Sequence, residues 1–209
     1  MRVAGVDGTK GGWVAIVLDD GRFVADHLPR PVESDFVELA DADVVAVDIP
    51  IGFGPRQADS AARAFLSGAA STVFTAPPRE LLERPFGPGL GLSAQAHALG
   101  PRILHVTELA RSDRRFREVH PEVSFRAMND RRPLRSRKKS AGGALERLEL
   151  LRRHGIELAD LGSASAVPLD DVLDAAAAAW SAHRIATGEA RSLPERPEII
   201  DEYQIAIWY

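Results

Sequence analysis

Four apolar segments near the N-terminus decide the fold: RVAGVD at residues 2–7, GWVAIVL at residues 12–18, RFVADHL at residues 22–28 and DVVAVD at residues 43–48. The first three are β-prone and are joined by short turns rich in Gly and Asp, which predicts an antiparallel three-stranded meander. The fourth is a continuous apolar run, which is typical of a central strand buried on both faces. A short helix is predicted between the third and fourth strands, over residues 33–40.

Three strands, a helix and a fourth strand parallel to the first form the opening of the ribonuclease H-like topology. The segment FREVH, at residues 116–120, is predicted to be the fifth strand. We therefore expect an α/β protein of ribonuclease H-like fold, with a central mixed five-stranded sheet of three antiparallel and then parallel strands, flanked by helices. This topology places Asp7 and Asp48 at neighbouring C-terminal strand ends.

The segment after the fourth strand, residues 52–101, is rich in Gly, Pro and Ala and is predicted to be an insertion or lid. It contains one predicted helix, over residues 57–66. Neither an internal repeat nor a linker interrupts the chain, whose length suits one well-buried core. We therefore expect a single domain over residues 1–209.

Two stronger helices are predicted in the C-terminal half. Residues 141–154 form an amphipathic pattern that Gly155 would stop, and residues 169–187 are rich in alanine, a strong helix former. The tail IAIWY, at residues 205–209, is predicted to be a closing strand. The expected buried stripe of the first of these helices consists of Leu145, Leu148 and Leu151.

Composition excludes several classes of site. The chain has 209 residues, 45% of them hydrophobic, and no cysteine, so disulfides, thiolate zinc sites and a cysteine nucleophile are excluded. Any metal must bind oxygen or imidazole ligands. The N-terminus lacks a signal-peptide core, and the longest uncharged apolar run, residues 175–180, is too short to cross a bilayer. We expect a cytoplasmic protein without a membrane partner.

The charge is unevenly distributed. The formal net charge is −4, yet residues 102–139, the basic strip, contain twelve Lys and Arg against five Asp and Glu. A basic strip on an acidic body suits a nucleic acid held beside a carboxylate site. A solvated charged loop is the alternative interpretation.

Two acids follow the predicted first and fourth strands. Asp7 precedes Gly8 and Thr9 in a turn that a ligand can approach closely, although Asp-Gly is first of all a turn signal. Asp48 precedes Ile-Pro-Ile-Gly, and a carboxylate there is costly to dehydrate unless a cation or a hydrogen-bond donor meets it. Capping of the loop is the alternative role for Asp48.

A second pair of acids begins the alanine-rich helix. Asp171 and Asp174 are three residues apart and therefore project from one side of it, so they can share a cation. Acids near a helix N-terminus are also favoured by the helix dipole. Together with Asp7 and Asp48 they are the oxygen ligands that Mg²⁺ or Mn²⁺ requires, and two such ions could activate a water and stabilise a leaving phosphodiester oxygen.

Other titratable groups complete the predicted site. Glu118, His120 and Glu122 are clustered, and the histidine suits general acid or base catalysis because its ordinary pKa is near neutrality. A structural histidine is the alternative. Basic and turn residues are candidates to contact phosphate oxygens, with surface salt bridges as their default role. These substrate-binding candidates are Thr9, Lys10, Arg56, Arg63, Lys138 and Lys139.

Several motifs carry a family resemblance: VDGTKGGW at residues 6–13, VDIPIGF at residues 47–53, EVHPEVSF at residues 118–125 and DDVLDAAAAAW at residues 170–180. Nearly end to end, the chain resembles the domain-of-unknown-function 429 family, whose members are predicted ribonuclease H-like nucleases. The acid set also resembles that of Holliday-junction resolvases, in which acids on the first and fourth strands join two on the last helix. The insertion after the fourth strand departs from that pattern.

The resemblance and the acids together lead us to expect a metal-dependent nuclease that hydrolyses phosphodiester bonds at a two-metal site. Two alternatives stay open. The turn at Thr9, Lys10 and Gly11 would also suit an ATP-dependent phosphotransferase of the actin or sugar-kinase type, although those proteins need two such domains. The third possibility is a non-catalytic module that binds nucleic acid through the basic strip.

Overall fold

The computed structural model describes residues 1–200 and 203–209, and they form two sheets and the helices around them. The strands are β1 (Arg2–Thr9), β2 (Gly12–Asp19), β3 (Arg22–His27), β4 (Val44–Val47), β5 (Phe116–Glu118), β6 (Ser192–Ile200) and β7 (Tyr203–Trp208). The helices are α1 (Gln57–Leu66), α2 (Arg79–Leu82), α3 (Ala94–Ala98), α4 (Gly100–Ser112), α5 (Pro121–Met128), α6 (Ala141–Arg153) and α7 (Leu169–Ala186). Short 3₁₀ segments lie at Val37–Leu39, Ser67–Thr72 and Ser163–Ala166.

The main sheet has five strands in the order β3-β2-β1-β4-β5. Strands β1, β2 and β3 pair antiparallel, whereas β4 pairs parallel to β1 and β5 parallel to β4. The prediction of a mixed five-stranded sheet flanked by helices is therefore confirmed. Because β1, β4 and β5 are parallel, their carboxyl ends meet at one edge of the sheet, where chemistry in open α/β sheets is usually located.

Side chains of these strands alternate between two faces, each covered by a separate apolar cluster. Val6 and Val47 belong to the cluster under α1 and α4, whereas Val3 and Ala46 belong to the cluster under α5, α6 and α7. The next residues in the second series, Asp7 and Asp48, therefore point toward the α7 face. This parity decides which acids can meet.

Close packing brings α7 against β1. A Cβ atom added at Gly5 would lie 1.9 Å from the backbone nitrogen of Ala179 and 2.2 Å from the carbonyl oxygen of Ala175. Only glycine on the strand and alanine on the helix permit this approach. The alanine run, weak as a motif, thus places the N-terminal turns of α7 beside the end of β1.

The prediction of a helix over residues 33–40 is wrong, because helical structure there is limited to a 3₁₀ turn at Val37–Leu39. Phe36 has a left-handed backbone with φ of 51°, which a helix cannot accommodate. Its ring packs between Trp13 and Phe116, at centroid distances of 5.5 and 5.7 Å. Burial of an aromatic side chain therefore outweighs local helix propensity at this position.

Helix α6 begins and ends as predicted within a residue, but its buried stripe differs. Leu145 is 67% exposed, Leu148 is half-buried and Leu151 is buried. Residues spaced by three do not stay on one face of a helix with 3.6 residues per turn. A stripe of residues 145, 148 and 151 therefore cannot lie wholly on the buried face. The residues that are buried are Gly143, Arg147, Leu150 and Leu151.

The tail forms a strand as predicted, but β7 pairs antiparallel with β6 in a separate two-stranded sheet. Sequence reasoning missed β6 because Pro194 and Pro197 lie within it and demote a strand pattern. Strand β7 contacts the main sheet through a bridge between Trp208 and Val119, the residue after β5.

The prediction of one helix in the segment over residues 52–101 is wrong, since α1, α2 and α3 all lie in it, but α1 has the predicted bounds. It packs against β6 and β7. In the described part of the chain, residues 1–200 and 203–209, every helix is too short or too polar to cross a bilayer.

Candidate functional site

A cleft of about 710 Å³ opens at the carboxyl edge of the main sheet. All of the sequence-predicted site residues line it except Arg63 and Lys139, among the residues that the structure describes. The residues predicted from strand ends and helix spacing therefore lie around one cleft. The lining groups nevertheless fall into two sets with different surroundings.

The first set is the acid cluster, defined as Asp7, Asp48 and Asp174. One carboxylate oxygen from each of the three residues lies within 4.8 Å of the other two. Asp7 and Asp48 are side by side because Val6 pairs with Val47, and the Asp48 backbone N–H donates to the Val6 carbonyl at 2.9 Å. Asp174 reaches them from the second turn of α7.

Few hydrogen bonds satisfy the acid cluster. Asp7 Oδ1 accepts the backbone N–H of Gly8 at 2.7 Å, and Asp174 Oδ2 accepts the ammonium of Lys138 at 2.7 Å. Asp174 is only 2% exposed, and its Oδ1 is buried without a hydrogen-bond partner in the described residues. An unpaired buried carboxylate oxygen is costly, so this atom is suited to a cation.

Dehydration dominates the electrostatics of the acid cluster. It raises the pKa of Asp48 to about 7, against the opposing effect of the Lys138 ammonium. It likewise raises the pKa of Asp174 to about 6. Dehydration and the neighbouring charges of Asp48 and Asp174 raise the pKa of Asp7 well above its ordinary value. The cluster thus resists full ionisation on its own and is compatible with a divalent metal.

Asp171 lies at the rim of the acid cluster. Burial and the adjacent Asp170 raise its pKa, while a hydrogen bond with the Thr9 side chain opposes that rise. Thr9 is buried at the end of β1, and Lys10 is exposed in the turn beyond it. The turn is braced by Arg102, whose Nη2 donates to the carbonyl oxygens of Thr9 at 2.7 Å and Gly12 at 3.1 Å.

The second set is the buried ion-pair network, defined as Arg56, Asp59 and Glu118. Arg56 donates to both carboxylate oxygens of Glu118, at 2.5 and 2.9 Å, and also to Asp59. Glu118 Oε2 further accepts the backbone N–H of Ile51 at 2.7 Å. Glu118 pairs with Val47 in the sheet and therefore points to the face opposite Asp48. The network fastens the loop after β4 to β5.

His120 and Glu122 lie at the start of α5. The Nε2 atom of His120 is 3.2 Å from the carbonyl oxygen of Thr72, so it carries the proton, and Nδ1 has no partner in residues 1–200 and 203–209. Dehydration lowers the pKa of His120. Glu122 accepts Nη2 of the buried Arg147 at 2.6 Å.

Arg63 does not line the cleft in the described residues, and several residues of the basic strip form hydrogen bonds inside the fold. Arg63 donates to the Thr75 hydroxyl and to the Val73 carbonyl, at 3.1 Å for the latter. Within the strip, Arg115 and Arg126 donate to backbone carbonyls, and Arg102 lies under the turn after β1. Part of the strip's charge is therefore used inside the fold.

Three residues with structural roles at the site were not identified from the sequence. Asp59 and Arg147 carry no sequence-based prediction, and Arg102 was included only as the first residue of the basic strip. Arg102 and Arg147 act through partners distant in sequence, Thr9 and Glu122 respectively, whereas Asp59 accepts from Arg56, three residues before it. The one available signal was the spacing of three residues between Arg56 and Asp59 at the start of α1, which suits an ion pair on one side of a helix.

Fold and site define an α/β protein with a mixed five-stranded sheet and a buried acidic cluster at its carboxyl edge. The chain belongs to the family described as "Protein of unknown function (DUF429)", which it matches over residues 5–199. No curated protein and no solved structure matches it.

Proposed function

We propose that this protein is a divalent-metal-dependent nuclease with a ribonuclease H-like fold. The observation that carries the proposal is the convergence of Asp7, Asp48 and Asp174 within 4.8 Å. Three carboxylates this close disfavour one another's ionised form unless a cation lies between them. The strand order β3-β2-β1-β4-β5, with three antiparallel strands followed by parallel ones, supports the fold assignment.

The residues present fit a hard divalent cation such as Mg²⁺ or Mn²⁺. Asp7, Asp48 and Asp174 would hold it, since carboxylate oxygens are the ligands these ions prefer. The clearest unused ligand atom is Oδ1 of Asp174, which is buried without a hydrogen-bond partner among the described residues. When bound, such an ion polarises a phosphoryl oxygen and lowers the pKa of water.

The chain's own groups supply the remaining requirements of phosphodiester hydrolysis. His120 lines the cleft and its lowered pKa keeps the imidazole neutral, so it is the candidate to accept a proton from an attacking water. The Thr9 hydroxyl and Asp171 lie at the mouth of the acid cluster, where they can orient the substrate. The fixed turn under Thr9, braced by Arg102, keeps these groups in place.

A nucleic acid is the proposed substrate because of the segment that leads into α6. Arg135, Arg137 and Lys139 are exposed on it, and Lys138 of the same segment reaches the acid cluster. Exposed cations beside a carboxylate site suit a phosphate backbone that crosses the cleft.

The test is cleavage of labelled single-stranded, double-stranded and branched DNA and RNA, with Mg²⁺, Mn²⁺ or a chelator. We expect cleavage only with metal. Asp7→Asn should reduce it by more than about 100-fold, because even outer-shell partners of a metal are worth about 10- to 100-fold. Asp170→Asn, an equal loss of charge on α7 next to Asp171, is the matched control and should keep the activity.

Two results would overturn the proposal. One is undiminished cleavage by Asp7→Asn, and the other is no cleavage of any substrate with either metal by a chain that is folded. ATP turnover that yields a phosphorylated small molecule would instead favour the phosphotransferase.

A further inference from the structure

Lys138 places a fixed positive charge inside the acid cluster. Its Nζ lies 2.7 Å from Asp174 Oδ2, and its ammonium also interacts electrostatically with Asp48 and Asp7. The side chain as a whole is 42% exposed, whereas that of Asp174 is 3% exposed. The lysine therefore passes from solvent into the cleft and ends on a buried carboxylate, which a solvated surface lysine does not do.

The segment that carries Lys138 is held in place at both ends. Glu146 of α6 accepts the backbone N–H groups of Arg135 at 2.9 Å and of Ser136 at 3.1 Å. On the other side, the Ser140 hydroxyl caps α6 by accepting the N–H of Gly143 at 3.0 Å. A Cβ atom at Gly143 would lie 2.0 Å from the carbonyl oxygen of Arg137. The direction of Lys138 is thus set by packing against α6.

The charges around the acid cluster determine how much positive charge it needs. Glu118 is paired with Arg56, which also binds Asp59, and Glu122 is paired with Arg147. Asp171 is half-buried at the rim, with a hydrogen bond from Thr9. Asp7, Asp48 and Asp174, when ionised, together carry three negative charges, and Lys138 offsets one of them. One divalent cation balances the two that remain.

We propose that Lys138 is a tethered cation of the acid cluster that takes the place of a second metal ion, so that the site binds a single divalent cation. The proposal rests on the proposed function only in that the acid cluster binds metal. The two oxygens of Asp174 have separate roles: Oδ2 binds the lysine, while Oδ1 has no partner among the described residues and is left for the metal ion. The tethered cation replaces the sequence-based expectations of two metal ions and of Lys138 as a phosphate ligand.

The experiment is calorimetric titration of the full chain with Mn²⁺ near pH 7.5, alongside an independent count of bound ions by electron paramagnetic resonance. The wild type should bind one Mn²⁺. Lys138→Met should bind its first Mn²⁺ at least about tenfold more tightly, because a competing positive charge is gone. The control is Lys139→Met, which removes the same charge from the next residue. Lys139 is not among the described residues that line the cleft, so the Mn²⁺ affinity of this variant should equal that of the wild type.

The outcomes separate this inference from the metal site itself. Two Mn²⁺ ions in the wild type, or equal affinities in Lys138→Met and Lys139→Met, would overturn the tethered cation and leave the metal site standing. No Mn²⁺ bound by any variant would overturn both. The count in the wild type needs no substitution, and Lys138→Arg, which keeps the charge, should retain one ion with near wild-type affinity.

Discussion

Two sets of buried charges lie at the same edge of the sheet and differ in how they are neutralised. In the ion-pair network, Arg56 contacts both Asp59 and Glu118, and Glu118 also accepts a backbone N–H. In the acid cluster, three carboxylates share one lysine. A set whose carboxylates are all hydrogen-bonded stabilises the loop that carries it, whereas a set with an unpartnered carboxylate oxygen is available to a ligand. Hydrogen-bond pairing, rather than residue type, separates the structural acids from those that we propose to bind a cation.

The largest effect should come from breaking the ion-pair network. Glu118→Ala leaves the buried Arg56 guanidinium without its main partner and should cost about 3–5 kcal/mol of unfolding free energy. Urea denaturation measures it. Replacing the pair together, by Arg56→Met with Glu118→Leu, should recover most of that loss. A loss below about 1 kcal/mol for Glu118→Ala would show that the network is not structural.

The acid cluster should respond in the opposite direction. Asp48→Asn removes a charge that the folded state disfavours, so at pH 8 without metal it should raise the unfolding free energy by about 1–3 kcal/mol. Asp59→Asn, in the paired network, should lower it. The comparison uses urea denaturation of both variants in the same metal-free buffer. Destabilisation of equal size in the two variants would remove the distinction between the two sets.

Stability should also depend on pH through the acid cluster. The folded-state pKa values of about 7 for Asp48 and about 6 for Asp174 lie above the unfolded value of about 4. The folded state therefore binds more protons between about pH 4 and 7, and its stability falls as pH rises through that window. Thermal unfolding of the metal-free wild type should show this fall. Asp48→Asn should flatten it, and millimolar Mn²⁺ should offset it at pH 8.

The smallest effect should come from the rim. Asp171 is only half-buried and is hydrogen-bonded to Thr9, so solvent screens its charge. Asp171→Asn should therefore change the unfolding free energy by no more than about 0.5 kcal/mol at pH 8. Denaturation next to Asp48→Asn gives the contrast. If the unfolding free energy changed as much as in Asp48→Asn, Asp171 would have to be counted as a member of the acid cluster.

Much of this site follows from local sequence. Asp7 and Asp48 come directly after apolar strands, and parallel strands bring such residues together at one edge. Asp174 follows from helical spacing and from an alanine run that only a close-packed helix would need. These features depend on periodicity and strand ends, which a single sequence contains.

The remaining features depend on contacts between distant segments. Glu118 was grouped with the acids, yet its strand position puts it on the other face, against Arg56. Lys138 could be recognised as basic, but its direction is set by packing against α6. Phe36 gives up a helix for an aromatic contact. Such outcomes are tertiary, and local propensity does not contain them.

The central claim is that the acid cluster, and not the ion-pair network, binds a divalent cation. Crystals soaked in millimolar Mn²⁺ test it most directly, because anomalous scattering locates the ion without knowledge of the substrate. The account predicts one anomalous peak in contact with Asp7, Asp48 and Asp174, with Lys138 still on Asp174. A soaked crystal with no peak there, or with a peak at Glu118 and Asp59 instead, would contradict it.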